Sequence, residues 1–171
     1  MTIDIPSLIH AAGGEIVGKV RLQKIVYLLD QMGFATGFSF SYHHYGPYSE
    51  ELADSVEEDV IFRRVSQESR RRGDGIPFMV YKVPEGRLTE TMSAMLDDRR
   101  AKGALKAMQC RSATILELAA TIHWLAFVEE ESDWRSDLVR RKGVKTESGR
   151  TEEALALLRE LQIAPREVAV L

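Results

Sequence analysis

Apolar residues recur at spacings of three and four along much of the chain, which predicts a mainly helical protein. Three other segments alternate in polarity or are rich in β-branched and aromatic residues, and they predict strands of a small antiparallel sheet at 38–44, 60–66 and 78–83. The predicted helices cover residues 6–12, 16–32, 49–59, 89–109 with Gly103 as a candidate break, 114–128 and 151–161. We therefore expect an α+β fold, predominantly helical, in one domain over residues 1–171 whose C-terminal part is helical from about residue 89.

The most specific turn chemistry lies between residues 19 and 62. An apolar helix pattern ends at Gly33, and an alternating aromatic segment follows it. Gly46 and Pro47 then end the predicted strand, because proline cannot donate to a strand ladder and favours a turn. Ser49 fits a helix N-cap, and the two glutamates after it suit a helical first turn.

These elements also predict how the core is assembled. Helices 16–32 and 49–59 should pack over strand 38–44, since each presents an apolar stripe. Helix 114–128, which begins with a Thr-Ile-Leu-Glu match to a capping box, should close the core.

Composition and charge narrow the class of protein. The chain has 171 residues, a net charge of −3 and a pI near 5.9, so no overall attraction to nucleic acid or anionic membrane is expected. Its single cysteine, Cys110, favours a reducing compartment. The N-terminal residues do not resemble a signal peptide, and the apolar segment 115–128 is too short and polar to span a bilayer. We expect a cytoplasmic protein without a membrane partner.

The residues with catalytic potential do not form a recognisable site in the sequence. His43 and His44 are adjacent, so on a strand they point to opposite faces and cannot bind one metal ion. Carboxylates occur in runs, which are typical of solvated helix faces, and no glycine-rich phosphate loop is present. We predict a non-enzymatic protein with no catalytic residue, cofactor or metal; a hydrolase that uses Cys110 or the histidine pair is a third hypothesis.

A basic hairpin supplies an alternative function. The predicted strands 60–66 and 78–83 with the polar loop between them resemble the latter part of a winged helix. In a DNA-binding transcriptional regulator of that type, arginines gathered near the wing would contact phosphates, and the candidates are Arg63, Arg64, Arg70, Arg71, Arg72 and Arg87. The other interpretation is a solvated loop tip.

The aromatic and histidine-rich corner supplies the first hypothesis, a contact patch for another protein. Tyrosine is enriched among interface anchors, although these rings could equally pack the strand against helix 16–32. The predicted partner-binding residues are Gln23, Lys24, His43, Tyr45, Tyr48 and Glu51. Gln23 and Lys24 fall mostly outside the apolar stripe, which predicts a solvated face for both.

Two sequence segments resemble a known family. LQKIVYLLDQMG at 22–33 and YHHYGPYSEELADSV at 42–56 resemble bacterial YwgA-like proteins and the Panacea (SocA-like) antitoxin domain, and LELAATIHWL and EEALALLREL later in the chain fit the same family. The resemblance implies a mainly helical domain with a small sheet and no catalytic residues. It also implies a function by binding, in which Panacea-type proteins neutralise toxins or act as protease adaptors.

We therefore expect a cytosolic, antitoxin-like or adaptor-like regulatory module whose partner is another protein, such as a cognate toxin. A homodimer is also expected, because the Met-rich helix 89–109 has more apolar residues than one stripe needs.

Overall fold

A computed structural model describes residues 3–86 and 98–166 of the chain. Within these ranges the chain forms seven α-helices: α1 Ile5–Ala11, α2 Lys19–Gln31, α3 Glu50–Ile61, α4 Arg99–Gln109, α5 Ala113–His123, α6 Trp134–Lys142 and α7 Arg150–Glu160. The strands are β1 Glu15–Val17, β2 Ser41–His43, β3 Gly46–Tyr48, β4 Ser66–Arg71 and β5 Pro77–Lys82. A π-helix, Trp124–Val128, continues α5, and a 3₁₀ helix, Gly143–Thr146, follows α6. The predicted α+β, mainly helical fold is confirmed.

The N-terminal half has the element order of a winged helix. A helix, a strand and two further helices precede a β-hairpin, and the antiparallel sheet has the order β1-β5-β4. The β2–β3 hairpin is inserted between the second and third helices and forms a separate two-stranded sheet. The winged-helix-like hairpin that the sequence predicts is therefore present as β4 and β5, and β1 completes the sheet by pairing with β5.

The start of the predicted helix 16–32 is corrected by this sheet. Ile16 lies in β1, where it is fully buried and pairs with Tyr81 of β5. Gly18, at a φ of +97°, separates the strand from α2. The apolar spacing continues smoothly across this boundary, so only the pairing with a distant strand shows that residues 15–17 are extended.

The predicted strand 60–66 is also corrected, because α3 runs to Ile61 and the strand occupies Ser66–Arg71. That strand is almost entirely polar and largely exposed, so it lacks the alternation that identifies a strand. Its pairing with β5 is accompanied by ion pairs, with Lys82 lying 3.4 Å from Glu68.

The alternating segment 38–44 keeps its predicted burial but not its predicted sheet. The rings at 38, 40 and 42 are half-buried and the serines between them are exposed. Only Ser41–His43 forms a strand, and it pairs with β3 instead of joining the three-stranded sheet. The cause is local, since the chain reverses within two residues, at positions 44 and 45. The predicted turn at Gly46 and Pro47 is thus wrong by two residues, because both lie in β3.

The C-terminal half is built around α5, and the expectation that helix 114–128 closes the core is confirmed. Every residue from Ile115 to His123 is buried, and α5 packs against α2 and α7. Its N-cap is Ser112, whose Oγ accepts a hydrogen bond from the amide of Ile115, rather than the predicted Thr114. None of the described helices is long and apolar enough to cross a membrane.

The flanking helices differ from prediction in their bounds. Part of the predicted helix 89–109 falls on residues 87–97, which lie outside the described residues together with Arg87. The remainder begins after the N-cap Asp98 and runs through Gly103 without a break. The last helix begins at Arg150 after Gly149, which has a φ of +77°, and not at a Thr151 cap.

The β2–β3 hairpin meets α5 at Gly46. The backbone there has a φ of +84°, a conformation that residues other than glycine adopt only at a cost in free energy. A Cβ at this position would lie 2.7 Å from Thr121 Oγ1. Gly46 is therefore required both by its backbone conformation and by the close approach of the hairpin to the helix.

A pair of glycine substitutions separates these two causes. Gly75 has the same φ of +84° but nothing within 4 Å of an added Cβ. Gly75→Ala should lower the free energy of unfolding by about 1–2 kcal/mol through backbone strain alone. Gly46→Ala should lose about 1–3 kcal/mol more through overpacking, and Thr121→Ala in the same chain should recover part of that loss. Urea denaturation measures all three, and equal losses for the two glycine variants would contradict the assigned contact.

Candidate functional site

The candidate site is the corner formed by residues 42–49, in which the β2–β3 hairpin turns into α3. His44 and Tyr45 form the two-residue turn between the strands, since His43 pairs with Gly46. Ser49 caps α3 by accepting a hydrogen bond from the amide of Leu52 at 3.1 Å. The predicted cap at Ser49 is therefore confirmed.

Gln23 of α2 fixes the last residue of the corner. Its side-chain Nε2 donates to the carbonyl of Ser49 at 2.9 Å, and its Oε1 accepts from the amide of Ser49 at the same distance. The amide group thus pairs with Ser49 as a neighbouring strand residue would. The side chain is 2% exposed, so the predicted solvated face is wrong for Gln23.

Two buried lysines hold the rest of the corner backbone. Lys24 Nζ donates to the carbonyl of Pro47, and Lys142 Nζ donates to the carbonyl of His44 at 3.0 Å. Lys24 is 1% exposed, which also corrects its predicted solvated face. The carbonyls of His44, Pro47 and Ser49 therefore all accept from side chains beneath the corner, which satisfies backbone groups that the hairpin ladder cannot reach.

Glu117 of α5 balances the charge of this cluster. Its Oε1 accepts from Lys142 at 2.8 Å, and its Oε2 accepts from Lys145 at 2.9 Å. Burial alone would raise the pKa of Glu117, but the hydrogen bonds from the two lysines outweigh it and hold the pKa below its ordinary value. The glutamate is therefore ionised at neutral pH and pairs with cations on two sides.

Burial lowers the pKa of Lys24 to about 8, because it removes the ammonium group from water. The charge of Glu117 acts in the opposite direction, and that of Lys142 adds to the lowering. Lys24 consequently titrates just above neutral pH, while its hydrogen bond to Pro47 needs only an N–H.

The outer side of the corner carries exposed rings. The rings of His43 and Tyr48 lie 5.0 Å apart, and Tyr45 is 49% exposed at the turn. The ammonium group of Lys145 lies 5.0 Å from the ring centre of Tyr45, a cation–π arrangement. Glu51 Oε2 accepts a hydrogen bond from the amide of Ser39 at 2.9 Å.

The structure therefore divides the predicted partner-binding residues into two groups. Gln23 and Lys24 lie beneath the corner and position it, because neither side chain is accessible to a partner. His43, Tyr45, Tyr48 and Glu51 lie at its accessible side. Direct contact with a partner remains a prediction for this second group.

Sequence reasoning missed Glu117, Lys142 and Lys145. A signal existed for Glu117, since it is the one carboxylate in the mainly apolar segment 113–128. The two lysines occur among many surface charges of residues 129–150, and nothing in their spacing distinguishes them.

The arginines predicted to form a basic wing are separated into two places. Arg63 and Arg64 follow the end of α3, where Arg64 pairs with the buried Asp59 at 2.5 Å.

The other three arginines lie on the hairpin. Arg70 lies 3.0 Å from Glu68. Arg71 bonds to the carbonyl of Gly75 and Arg72 to Asp74, both at the tip of the hairpin. The two carboxylates offset the charges of Arg70 and Arg72, whereas the backbone carbonyl leaves the charge of Arg71 in place.

A carboxylate cluster lies beside the π-helix. Oxygens of Glu129, Glu131 and Asp137 lie within 4.8 Å of one another. Arg141 binds both oxygens of Glu129, at 2.9 and 2.5 Å, and lies 2.9 Å from Asp137. Hydrogen bonding to Arg141 lowers the pKa of Glu129, which suits a structural ion pair rather than a general acid.

The fold and the corner define a winged-helix-like α+β protein with a helical C-terminal half. The uncharacterized protein YwgA of Bacillus subtilis (strain 168) is 30% identical over 159 residues, which cover 90% of this chain and 92% of that protein. The chain belongs to the YwgA family. No family model matches the chain, so the resemblance to Panacea domains remains a prediction.

A second relative overturns one expectation. A protein of Thermus aquaticus (strain ATCC BAA-2747 / Y51MC23), named DNA ADP-ribosyl glycohydrolase, is 27% identical over 133 residues, which are 75% of this chain but 36% of that protein. The prediction that the chain is not an enzyme is contradicted by this match to a protein with an enzyme's name. The third hypothesis also placed chemistry at Cys110, which is exposed at the C-terminal end of α4.

Removing the charge of Glu117 tests the buried cluster. Glu117→Gln should lower the free energy of unfolding by about 3–5 kcal/mol, because it leaves Lys142 buried without its counter-ion. Adding Lys142→Met should restore part of the loss. The control is Glu152→Gln on the exposed Arg135–Glu152 pair, where we expect a change within about 1 kcal/mol. Similar losses for the two glutamine variants in urea denaturation would contradict the cluster.

The lowered pKa of Lys24 predicts a pH dependence of stability. Between pH 8 and pH 10 the folded chain releases this proton while the unfolded chain keeps it, so stability should rise with pH, by at most about 1.4 kcal/mol per pH unit. Lys24→Met should lack this rise, whereas Lys102→Met, which changes an exposed lysine, should keep it. Urea midpoints at pH 7, 8, 9 and 10 measure the slopes, and the same slope in both variants would refute the assignment.

Proposed function

We propose that this chain is a cytoplasmic recognition domain that binds another protein through the accessible side of the corner and the acidic face of α3. The observation that carries the proposal is the rigid support of the corner. Gln23, Lys24 and Lys142 fix three of its carbonyls, while the rings of His43 and Tyr45 remain accessible. Preorganised aromatic side chains lose little conformational entropy on binding, which suits an interface.

The charge of α3 supports a partner with a basic surface. Five carboxylates lie within about 120° of the helix circumference at 100° per residue, and all are exposed: Glu50, Glu51, Asp54, Glu57 and Glu58. This helix follows directly from the corner, so the two surfaces adjoin. A basic partner gains from the combined field of these carboxylates, which speeds association more than it tightens the complex.

The relatives support a partner that works on DNA. The Thermus aquaticus protein is named for DNA ADP-ribosyl chemistry, and the chain matches 36% of it. A protein that acts on DNA commonly presents a basic surface, which is the surface that the acidic face of α3 would attract. We therefore infer an antitoxin-like or adaptor-like role toward a DNA-modifying partner.

Direct DNA binding is the second candidate, and the winged-helix element order supports it. The third helix of such a domain commonly approaches the DNA, and in this chain that helix is acidic. Contact would then fall to the β4–β5 hairpin, whose arginines Arg70 and Arg72 already have carboxylate partners. The charge distribution thus favours a basic protein over DNA.

Affinity capture with matched variants tests the proposal. The tagged chain is incubated with extract of its host, and bound proteins are identified by mass spectrometry. We expect one basic protein that is captured by the wild type and by Val144→Ala, a control at a 70% exposed residue of the 3₁₀ helix. Capture should fall at least about tenfold with His43→Ala/Tyr48→Ala and with Glu57→Gln/Glu58→Gln.

Equal capture by all four forms would overturn the binding surface. A gel shift with duplex DNA at 50 mM salt decides between the two candidates, because phosphate contacts weaken steeply as salt rises. A salt-sensitive shift that Arg70→Ala/Arg72→Ala abolishes would favour the second candidate instead.

A further inference from the structure

A groove of about 820 Å³ lies beside the π-helix, and none of its lining residues belongs to the corner. Its walls include His123 and Phe127 of the helix, Trp134 of α6, and residues that follow α7. The volume falls within the range of ligand-binding clefts in proteins. Nothing in the proposed function uses this groove.

The backbone around the groove departs from regular structure in three places. The π-helix Trp124–Val128 forms one wall, and single π-turns inside helices often occur at functional sites. Glu130 and Gln162, which also line the groove, have φ values of +53° and +61°. Both positions immediately follow helices, where a left-handed residue is a common way for a helix to end, and after α7 the amide of Ile163 bonds to the carbonyl of Leu158 in this manner. The π-helix is therefore the irregular feature that points to a functional site.

Aromatic rings form an accessible platform on the groove wall. Phe127 is 49% exposed, and its ring lies 4.6 Å from the ring of His123 at an angle of 34°. Trp134 adds a second, buried ring to the lining. An exposed phenylalanine stacked on a fixed imidazole is a surface on which a planar group can rest.

His123 is held in place and remains neutral. Its Nδ1 and the hydroxyl of Tyr27 are 2.9 Å apart, and the residue is 6% exposed. Burial lowers the pKa of His123 to about 4, so the ring carries no charge at neutral pH. With Nδ1 engaged by Tyr27, Nε2 is the ring nitrogen that a bound group can use as a hydrogen-bond donor or acceptor.

The charged residues of the lining determine whether the groove favours a cationic or an anionic ligand. Glu130 and Glu131 contribute two carboxylates and Arg166 one guanidinium, while His123 contributes nothing. The net charge is negative, which disfavours a phosphate or another anion. A cation fits, and a planar cation fits both the aromatic platform and the carboxylates.

We propose that this groove binds an arginine-containing segment of a protein, with the guanidinium stacked on Phe127 and paired with Glu130 or Glu131. Arginine is preferred to lysine because its flat guanidinium stacks on a ring and bonds a carboxylate through two parallel N–H groups. Nε2 of His123 then donates to a carbonyl of the bound segment. The site is separate from the corner and does not depend on the proposed function.

Synthetic peptides test this site with the full chain. Acetyl-Gly-Arg-Gly-amide is titrated by calorimetry and by intrinsic fluorescence, to which Trp124 and Trp134 both contribute, beside the matching lysine and citrulline peptides. We expect saturable binding of the arginine peptide, about threefold weaker binding of lysine and at least about tenfold weaker binding of citrulline, which keeps the shape without the charge. Binding should weaken as salt rises.

Matched variants locate the site. Phe127→Ala and Glu130→Gln/Glu131→Gln should each weaken binding about fivefold, and both should leave the fold intact because Phe127, Glu130 and Glu131 are exposed. Val139→Ala, an exposed residue of α6, should bind as the wild type does. The corner variant His43→Ala/Tyr48→Ala should also bind normally, which separates this test from the capture experiment.

The proposal would be overturned by a lack of saturable binding of the arginine peptide, by equal binding of the citrulline peptide, or by tighter binding of adenosine monophosphate than of the arginine peptide. Self-association of the chain that buries Phe127, detected by sedimentation and lost in Phe127→Ala, would assign the groove to a second copy instead and would equally reject the peptide site.

Discussion

The organising interaction of this structure is the set of hydrogen bonds from buried side chains to the carbonyls of the corner. The chain reverses twice within eight residues, at the hairpin turn and at the entry to α3, so the carbonyls there cannot all find partners in a regular ladder. Gln23, Lys24 and Lys142 supply the missing donors from below. A buried carbonyl left without a donor would cost about as much as the hydrogen bond it lost, so the corner depends on these three side chains.

This interaction also joins the two halves of the chain. Gln23 and Lys24 come from α2 in the winged-helix-like half, whereas Lys142 and Glu117 come from α6 and α5 in the helical half. The charge of Glu117 is needed because Lys142 meets it where both side chains are buried, and Lys145 approaches it from the partly exposed side. A buried ion pair of this kind adds little net stability compared with apolar packing, but it specifies which groups must meet. The corner therefore has one conformation, which a binding surface requires.

The two surfaces considered for binding differ in origin. The corner carries accessible rings on a backbone that hydrogen bonds from buried side chains hold in place. The groove lies beside irregular helix geometry, where a π-helix continues α5 and contains the exposed Phe127. Both surfaces are next to carboxylates, and the acidic face of α3 and the acidic lining of the groove favour basic partners over nucleic acid or phosphate ligands.

Local sequence determined which segments are helical and some of their ends. Gly33 and Ser49 act through their own backbone chemistry, so the end of α2 and the start of α3 follow from the residues alone, whereas the hairpin turn falls two residues before Pro47. Tertiary structure decided which strands pair, because β1 and the polar β4 are extended only through contact with β5. It also decided the environment of Lys24, since a lysine outside an apolar stripe is normally solvated, and only the packing of α5 and α6 against the corner removes it from water.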